Sequence, residues 1–476
     1  IFLIRSLHMV DDIERPKILA KSANKFMSVT IGFTGIRHKI TFMDSLNFLQ
    51  GSLEKLTSNL VKKSKGGKLI DFFPTTHEFF NEIYDGDDDT NINLLLRKGV
   101  FPYKYLTSLD VLNDEKLPPR EAFFNDLADE EVSEEDYAHA EQVWTTFNCQ
   151  NFRDYHDLYM RLDVCQLSDI FQYFRCQSFK NYGLDPVFFV SSPGLSWQAC
   201  LFITQQSLDI IEDVEIATFI KTAFTGGVSV ARNPRLSAQY DKDTNEQTHH
   251  LLLVDANNMY GWAMEKSLPI GGFEWLPVSE VESLKVEDIM KVDENGEYGY
   301  IYEVDLEYPQ NLHKEHDQYP CATEHYIIDD KELSPYQLQM ATDYHVKIQT
   351  KKLCLTLHDK KKYKLHLKNL QQYISLGLKL KHVHRVLKFT QSCWLKRYIK
   401  LNTKLRQAAT CKADESLPKL MINSVFGKTC EDPYKYKQVK LILGAENVAK
   451  MQRIQNKPTF SHVTLFSEEC ALATMK

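Results

Sequence analysis

The spacing of hydrophobic and polar residues changes several times along the chain, and each change predicts an element. Apolar and β-branched residues dominate 26–33 and 38–43, which predicts two strands. Leucine, isoleucine and phenylalanine recur at helical intervals through 154–174, which predicts one amphipathic helix. Strict alternation through 298–308 predicts a strand with one wet face. The pattern therefore indicates a mixed α/β (α+β) fold.

Polar residues mark several predicted element ends. Ser133 opens the capping-box sequence Ser-Glu-Glu-Asp before a helical pattern. Asp44 and Ser45 precede a second amphipathic helix that runs through Leu60, and we interpret them as its cap rather than as a site. The polar run 240–247 contains an Asp-x-Asp pair, but its turn-forming residues predict a hairpin loop.

The stretch around Asp255 carries the first candidate chemistry. Four aliphatic residues, 251–254, predict a strand that is buried on both faces and ends at Asp255, while Asn257 and Gly261 predict the turn that follows. A carboxylate at a strand end suits a Mg²⁺ ligand, and the turn brings Tyr260 above the same place. The alternative is that Asp255 only caps a turn and that Tyr260 is a half-buried core aromatic.

Residues 419–429 carry the second candidate site. On a helix, Lys419, Asn423 and then Phe426 with Gly427 fall on one stripe, and the apolar residues lie towards the other side. The stripe offers an ammonium, an amide, an aromatic ring and bare backbone. This combination suits a triphosphate at one end and a base at the other, with close approach at the glycine.

A third candidate pair is Tyr159 with Asp163. The two residues are four apart on the predicted helix 154–174, so both side chains project from one face. An acid beside a tyrosine hydroxyl suits an exonuclease-type metal site. The alternative is that Asp163, like Asp157, is a surface charge.

Charge is concentrated in one part of the chain. Residues 347–412 contain eighteen Lys and Arg against one acid, Asp359, a net +17 that leaves −24 for the rest of a chain whose net charge is −7. A basic block in an acidic protein indicates a surface for a polyanion such as nucleic acid or nucleotide phosphate. The alternative is a solvated helical face, but the acids that would form i,i+4 pairs are missing.

Cysteines and hydropathy narrow the class of protein. The ten cysteines are scattered without a Cys-x-x-Cys pair or a cluster at zinc spacing, which predicts reduced, structural thiols. No apolar run reaches the roughly 18 residues of a membrane helix, and the start of the sequence does not resemble a signal peptide. We therefore expect a soluble, intracellular protein and, because the chain starts at Ile1, a fragment.

Four short motifs resemble those of the family B DNA polymerases. Residues 255–260 (Asp-x-x-Asn-Met-Tyr) resemble motif A (Asp-x-x-Ser-Leu-Tyr-Pro), and residues 419–427 (Lys-x-x-x-Asn-Ser-x-Phe-Gly) resemble motif B (Lys-x-x-x-Asn-Ser-x-Tyr-Gly). Residues 159–163 (Tyr-x-x-x-Asp) are similar to the third proofreading-exonuclease motif. Residues 224–227 (Phe-x-Gly-Gly) are similar to the Tyr-x-Gly-Gly linker between exonuclease and polymerase domains, and two glycines suit such a joint.

The resemblance covers nearly the whole chain and is greatest to the protein-primed branch, which includes Polinton/Maverick transposons, related viruses and linear plasmids. It implies an incomplete RNase H-like exonuclease domain followed by a partial right-hand polymerase with palm and fingers. A nuclear location would follow for a transposon or virus, and a mitochondrial one for a linear plasmid. The implied regions are an exonuclease-like domain (1–190), the linker and first palm segment (191–269), an insertion of terminal-protein-region type (270–345), basic fingers (346–430) and the start of the second palm segment (431–476).

The activity that the resemblance implies is template-directed DNA synthesis with Mg²⁺ as cofactor. The partners would be primer-template DNA, dNTP and a terminal protein as primer. Lys419 would neutralise the triphosphate, with Arg406 or Lys404 as a second cation, and Tyr260 would exclude a 2′-hydroxyl. The implied residues are Tyr260, Lys419, Asn423 and Arg406 for the nucleotide, Tyr159 and Asp163 for the exonuclease, Gly226 and Gly227 for the linker on DNA, and Asp255 and Asp163 for metal.

The sequence departs from the family motifs at several positions. Asn258 stands for Ser, Gly261 for Pro and Phe426 for Tyr. Pro418 would break a long motif-B helix unless that helix starts there with Ser416 as its cap. Motif C (Tyr-x-Asp-Thr-Asp) and the first two exonuclease motifs do not occur, so we expect impaired or no turnover from this piece alone.

The central expectation is that Asp255 and Lys419 face each other across one cleft that is wide enough for a nucleotide. Two alternatives to an active polymerase stay open. One is a catalytically inactive remnant that keeps nucleic-acid binding. The other is a structural or interaction domain with a chance pair of motifs.

Overall fold

The chain divides into two compact units. In the computed structural model, the first unit consists of Ile1–Ile203 with Lys400–Lys476, and the second is Thr204–Ile399. Both units contain helices and strands, so the predicted mixed α/β fold is confirmed. The five predicted regions follow other boundaries and stay predictions. The structure describes residues 12–14, 16–22, 25–84, 89–126, 129–229, 235–432, 438–444, 448–468 and 470–475.

The helices and strands occur in the following order along the chain. The first segment contains β1 (Lys17–Ser22), β2 (Lys25–Phe33), β3 (Ile36–Met43), α1 (Leu53–Ser64), α2 (Pro74–Ile83), α3 (Glu134–Thr146), α4 (Phe152–Tyr182) and α5 (Ser192–Thr204). The second unit continues with α6 (Val214–Ala223), β4 (Gln239–Tyr240), β5 (Gln247–His249), α7 (Met259–Met264), β6 (Leu268–Trp275), α8 (Val278–Ser283), α9 (Val286–Lys291), β7 (Tyr298–Glu307), β8 (Glu324–Ile327), α10 (Pro335–Asp343), β9 (Lys351–Cys354), β10 (Lys360–His366), α11 (Leu367–Ser375) and β11 (Lys379–Ser392). The last elements are α12 (Lys396–Gln407), α13 (Lys412–Thr429), β12 (Gln438–Leu443), α14 (Val448–Gln455), β13 (Phe460–Ser467) and β14 (Cys470–Met475). Within the described ranges, no helix is both long and apolar enough to cross a membrane.

Helix α4 organises the helical part of the first unit. The predicted helix is present but extends beyond 154–174 at both ends, and a capping box of Asn151 and Asp154 marks its start at Phe152. It ends at Gly183, whose φ of 70° is a left-handed conformation that glycine adopts without strain. Gln166 on α4 accepts a hydrogen bond from the Thr57 hydroxyl on α1 at 3.1 Å, which joins these two helices in the interior.

A buried carboxylate on α4 also caps α2. The residue before α2, Phe73, offers no side-chain cap. Asp169 takes this role, because it accepts hydrogen bonds from the backbone N–H groups of Thr75 and Thr76 at 2.9 Å each and from the Thr76 hydroxyl at 2.8 Å. A capping carboxylate at a helix N-terminus also complements the helix dipole.

Two antiparallel sheets complete the first unit. One has the order β1-β2-β3 and the other β12-β14-β13, so the two ends of the chain contribute one sheet each. The two predicted strands in 26–43 are confirmed as β2 and β3. Both sheets contribute to one core, which contains Val29, Ile31, Leu441, Phe466, Cys470 and Leu472.

The second unit is built on an antiparallel sheet of order β10-β7-β11-β6. The alternating residues Tyr302, Val304 and Leu306 of β7 are at most 2% exposed and pack against Leu367 and Leu370. Strand β7 is therefore central in this sheet, and its alternation was correctly predicted. Its predicted wet face is only partly exposed, because Glu303 is 7% exposed whereas the side chains of Asp305 and Glu307 are 27% and 29% exposed. The hairpin predicted for 240–247 is confirmed as β4-β5.

The strand predicted at 251–254 is wrong. The structure assigns no strand there, and the four aliphatic residues are 59% to 98% exposed. A strand is held by hydrogen bonds to a neighbouring strand, and none of the strands in the described ranges pairs with this segment. Asp255 consequently lies in an exposed segment without secondary structure and not at the end of a buried strand.

Two predicted caps are corrected and one is confirmed. Asp44 caps the short helix Ser45–Asn47 through the Leu46 N–H, whereas Ser52 caps α1. Ser133 caps α3 as predicted.

Helix α13 continues through Pro418. It starts at Lys412, so the predicted start with Ser416 as its cap is wrong. The Ser416 hydroxyl instead donates to the carbonyls of Lys412 and Ala413. The sequence Asp-Gly-Asp-Asp-Asp at 85–89 lacks the spacing of a calcium loop, which predicts a solvated acidic loop, and it lies outside the described residues except for the backbone of Asp89.

Candidate functional site

Helix α13 presents the predicted stripe to solvent. Lys419, Asn423 and Gly427 are exposed and lie about one turn apart, and Phe426 is half-buried beside them. The opposite side is buried in the first unit and consists of Leu417, Pro418, Met421, Ile422, Ser424 and Val425. The geometry of the stripe is therefore present, and its binding role stays a prediction.

The bare backbone of the stripe is not required by packing. A Cβ built at Gly427 would have no heavy atom within 4 Å. A glycine inside a helix lowers helix stability relative to alanine. Gly427 therefore lowers helix stability at a position where the surrounding protein would accommodate a side chain.

A cavity of about 500 Å³ lies beside the stripe, within the first unit. Lys55 from α1 and Lys412 and Lys419 from α13 line it. Its wall includes the aromatic residues Phe48, Tyr173 and Phe174. Aromatic rings with nearby ammonium groups are the surroundings that a nucleobase and its phosphates can use.

Arg406 lies beside α13 but is directed at a carboxylate. Its guanidinium is 3.7 Å from Glu415, which also pairs with Lys412 at 2.7 Å. The Lys412 hydrogen bond is the main cause that lowers the pKa of Glu415. The structure thus places Arg406 in an ion-pair cluster at the start of α13, while Lys404 is exposed.

The turn after Asp255 is present as predicted. Asn258 has a φ of 56°, and the Trp262 N–H donates to its carbonyl at 2.9 Å, so α7 begins directly after it. Tyr260 on α7 is 55% exposed, so the alternative of a core aromatic is wrong. A Cβ on Gly261 would lie 2.3 Å from Nδ2 of Asn258, which explains a small residue at this position.

The described residues do not complete a Mg²⁺ site. Among them, no three His, Cys, Asp or Glu side chains are close enough together to hold a metal ion. Asp255 and Asp163 therefore each supply one acidic group without the further acidic ligands that such a site needs. Asp255 belongs to the second unit and Lys419 to the first, and their predicted position across one cleft stays a prediction.

The basic block is half neutralised by acids from elsewhere in the chain. Much of it forms β10 and β11, which flank the acidic residues of β7. Arg385 bonds Glu303 at 2.8 Å, and both Lys379 and Lys381 pair with Glu307 at 3.2 and 2.7 Å. The paired cations of the block are Lys360, Lys364, Lys368, Lys379, Lys381, Arg385, Lys388, Arg406 and Lys412. The predicted lack of acidic partners is wrong, because the partners come from other segments of the chain: Glu303 and Glu307 lie on the neighbouring strand β7, and Glu415 follows the block on α13.

The other half of the block has no ion-pair partner in the part of the chain that the structure describes. These residues are Lys347, Lys351, Lys352, Lys361, Lys362, Lys396, Arg397, Lys400 and Lys404. Lys400 and Lys404 lie one turn apart on the exposed side of α12. Exposed cations without partners are the ones that remain available to a polyanion.

The predicted exonuclease pair lies on α4, as expected. Tyr159 stacks on Phe101 with ring centroids 4.9 Å apart, and its hydroxyl is 2.7 Å from that of Tyr103. A Cβ on Gly99 would lie 2.6 Å from the Tyr159 ring, so the glycine gives the ring its place.

Burial dominates the protonation of this pair. It raises the pKa of Asp163, and the Tyr159 hydroxyl and the Lys98 ammonium offset only part of this shift. Burial and then the Tyr103 hydrogen bond raise the pKa of Tyr159. Both side chains are half-buried, so Asp163 is not a plain surface charge; Asp157, the other acid of that alternative, is exposed.

The sequence matches the family described as DNA polymerase type B, organellar and viral, over residues 5–473. The chain belongs to this family. No curated protein matches the sequence.

Solved structures of Phi29 DNA polymerase are similar in fold. The ternary complex with primer-template DNA and incoming nucleotide substrates is 15% identical, with 89% of this chain and 56% of that chain covered and a TM-score of 0.42. The post-translocation binary complex with primer-template DNA is 16% identical, with 89% and 55% covered and a TM-score of 0.44. The chain spans just over half the length of these polymerase chains.

The linker motif of this type B polymerase is an exposed loop. Phe224 follows α6 directly and is 68% exposed, and Gly226 and Gly227 are exposed after it. A Cβ on Gly227 would meet nothing within 4 Å. The loop lies inside the second unit, and its predicted role on DNA stays a prediction.

Sequence reasoning missed the residues that hold the motif-B helix of this type B polymerase. Asp414 on α13 bonds Lys63 on α1 and Tyr173 on α4. Lys55, which lines the cavity, was also missed. These residues are far apart in the sequence and belong to no short motif, so a single sequence carries no signal for them.

Proposed function

We propose that this type B polymerase chain serves template-directed DNA synthesis, in which a nucleotide is transferred from dNTP to a primer 3′-hydroxyl. The observation that carries the proposal is the exposed stripe of Lys419, Asn423 and Gly427 on α13. Family membership supports the same reaction class. The partners would be primer-template DNA and dNTP.

Each residue of the stripe would bind a different part of the nucleotide. The Lys419 ammonium would neutralise the negative charge of the bound triphosphate. The Asn423 amide would orient the nucleotide by hydrogen bonds, and the base would pack against the open backbone at Gly427. Asp255 would contribute one metal ligand in motif A, and an Mg²⁺ ion would need more acidic ligands than the described residues bring beside it.

Tyr260 would lie under the sugar and exclude a 2′-hydroxyl by steric contact. Its 55% exposed ring supports this role, because it is accessible to a ligand. We expect Tyr260→Ala to admit ribonucleotides in an active full-length polymerase. Unchanged discrimination between dNTP and rNTP in primer extension would count against the role.

The decisive test is primer extension by the full-length polymerase with a lysine variant in the stripe. Lys419→Ala should raise the KM for dNTP about tenfold or more, the size of a lost charged hydrogen bond. Lys428→Ala is the matched control on the same helix, because Lys428 pairs with Glu431 and does not lie on the stripe. Equal kinetics for the two variants would refute the proposed role of the stripe.

Three finer parts of the proposal rest on the resemblance and need their own tests. Tyr159 and Asp163 would act in a 3′-5′ exonuclease, and a terminal protein would bind the region 270–345 in a polymerase of a mobile or viral element. A catalytically inactive remnant is the second candidate. Retained DNA binding by the full-length protein without metal-dependent extension would favour that candidate.

A further inference from the structure

The start of the motif-B helix is joined to two helices of the exonuclease-like region by one carboxylate. Asp414 accepts from the Lys63 ammonium on α1 at 2.6 Å and from the Tyr173 hydroxyl on α4 at 2.5 Å. Lys63 and Tyr173 use different oxygens of the carboxylate, Oδ2 and Oδ1. We name these three residues the Asp414 cluster.

The hydrogen bonds of the Asp414 cluster favour an ionised Asp414 carboxylate and a charged Lys63 ammonium. Burial opposes ionisation of Asp414, but Lys63 and Tyr173 outweigh it and lower the pKa of the carboxyl. The Asp414 hydrogen bond raises the pKa of Lys63. The side chains of Lys63 and Asp414 are 29% and 20% exposed, so solvent screens this ion pair only in part.

The first turns of α13 need such an anchor. The residue before the helix, Cys411, makes no side-chain cap. Pro418 has no N–H, so the carbonyl four residues earlier, that of Asp414, loses its usual intrahelical partner. The backbone ladder is therefore incomplete at the same residue whose side chain the Asp414 cluster holds.

Helix α4 makes a second bond to the neighbouring helix. The Tyr182 hydroxyl donates to Oδ1 of Asn402 on α12 at 2.7 Å, and both residues are buried. Tyr173 and Tyr182 thus fix α13 and α12 from one rigid helix. Helix α4 also carries Tyr159 and Asp163 in its first half.

The Asp414 cluster is close to the stripe. Lys419 follows Asp414 by five residues, about 7.5 Å along a helix. Tyr173 and Lys419 line the same cavity. A change in the position of the first turns would therefore move the Lys419 ammonium relative to a ligand in front of the stripe.

We propose that Lys63, Tyr173 and Asp414 are positioning residues that hold α13 so that Lys419 meets the phosphates of the incoming nucleotide. This inference rests on the proposed function. It adds a connection between the exonuclease-like helix α4 and nucleotide binding on α13.

The test uses the full-length polymerase and three variants of the Asp414 cluster. Tyr173→Phe removes one hydroxyl, Asp414→Asn removes the charge, and Lys63→Glu with Asp414→Lys reverses the ion pair. Tyr240→Phe is the control for a lost tyrosine hydroxyl, because Tyr240 is 57% exposed and lies outside the first unit. Primer extension gives KM for dNTP and kcat, and hydrogen exchange reports the opening of residues 412–418.

We expect Tyr173→Phe and Asp414→Asn to raise KM about tenfold, with kcat within about twofold, because only ground-state placement of Lys419 changes. Exchange at 412–418 should become faster in both. The charge-reversed pair should recover only part of KM, because it restores the ion pair but not the hydrogen bond that Tyr173 donates to the Asp414 carboxylate. Tyr240→Phe should behave as wild type.

Faster exchange with an unchanged KM would overturn the positioning role and leave the Asp414 cluster as a purely structural contact. Unchanged exchange would overturn the anchoring of α13 itself. A wild-type protein that neither binds dNTP nor extends a primer would overturn the proposed function and the positioning role together. An active wild type whose variants keep its KM would overturn the positioning role alone.

Discussion

Replacing Gly427 by alanine should make the protein more stable and a weaker nucleotide binder. Gly427 lies in the last turn of α13, and a Cβ there would meet no heavy atom within 4 Å. The substitution therefore introduces no clash and reduces the backbone entropy of the unfolded chain. Since the site is near a helix end, we expect a gain of about 0.5 kcal/mol in the free energy of unfolding.

The effect on nucleotide binding should have the opposite sign. If the base packs on the backbone at Gly427, an added methyl group occupies part of its place. Overpacking of one methyl group costs roughly 1–3 kcal/mol, which corresponds to a rise in KM for dNTP of roughly fivefold to more than a hundredfold. Partial unfolding could not cause the higher KM, because the same substitution stabilises the folded state.

The assay combines urea unfolding with steady-state primer extension by the full-length polymerase. Gly194→Ala is the matched control, since Gly194 also lies in a helix of the first unit and its Cβ would make only an ordinary contact of 4.0 Å with Phe189. A stabilised Gly427→Ala variant with unchanged KM would refute the approach of a nucleotide to this backbone. A clearly destabilised Gly427→Ala variant would refute the conclusion that a Cβ at this position meets no neighbouring atom.

Three further predictions follow from charges in the structure. Burial lowers the pKa of His139 to about 4, whereas the pKa of this side chain in the unfolded state is near 6.5. The free energy of unfolding should therefore fall as the pH decreases from about 6.5 to 4, by about 2 kcal/mol at pH 5. Hydrogen exchange of α3 at matched pH should show that His139→Gln abolishes this part of the pH dependence. The ammonium of Lys360, whose side chain is 1% exposed, is 2.6 Å from the Glu324 carboxylate. Glu324→Gln removes this negative charge and should lower the free energy of unfolding in urea by about 3 kcal/mol. A loss below about 1 kcal/mol would contradict the stabilising role of this ion pair. The double variant Lys400→Ala with Lys404→Ala should weaken DNA binding. The slope of log affinity against log salt concentration should decrease by about 1 for each lysine that contacts a phosphate. An unchanged slope in anisotropy titrations would exclude α12 from the DNA-binding surface.

The elements that could be predicted were those whose signal is local. The helix at 154–174 and the stripe at 419–427 follow from periodicity within one segment, and both are present. The capping box at Ser133 depends on four neighbouring residues and was also predicted correctly. Patterns of this kind lie within a short segment, so a single sequence is enough to show them.

The strand at 251–254 shows why other predictions fail. Its aliphatic run predicts burial, but burial of a strand depends on partner strands and covering elements that the segment does not encode. The reading of the basic block failed for a related reason. Its acids were sought four residues away on a helix, whereas register places Glu303 and Glu307 of β7 beside the cations of β10 and β11.

The motif-B helix separates two kinds of sequence constraint on one element. Its inner side is fixed by packing, because Met421, Ile422 and Val425 are at most 1% exposed. Its outer side has no packing reason for a lysine, an asparagine and a glycine one turn apart, and the glycine even lowers helix stability. Substitutions on the inner side should therefore appear first in unfolding free energy. Substitutions on the stripe should appear in KM with little loss of stability, and this division of effects is what a ligand-binding face on a rigid helix requires.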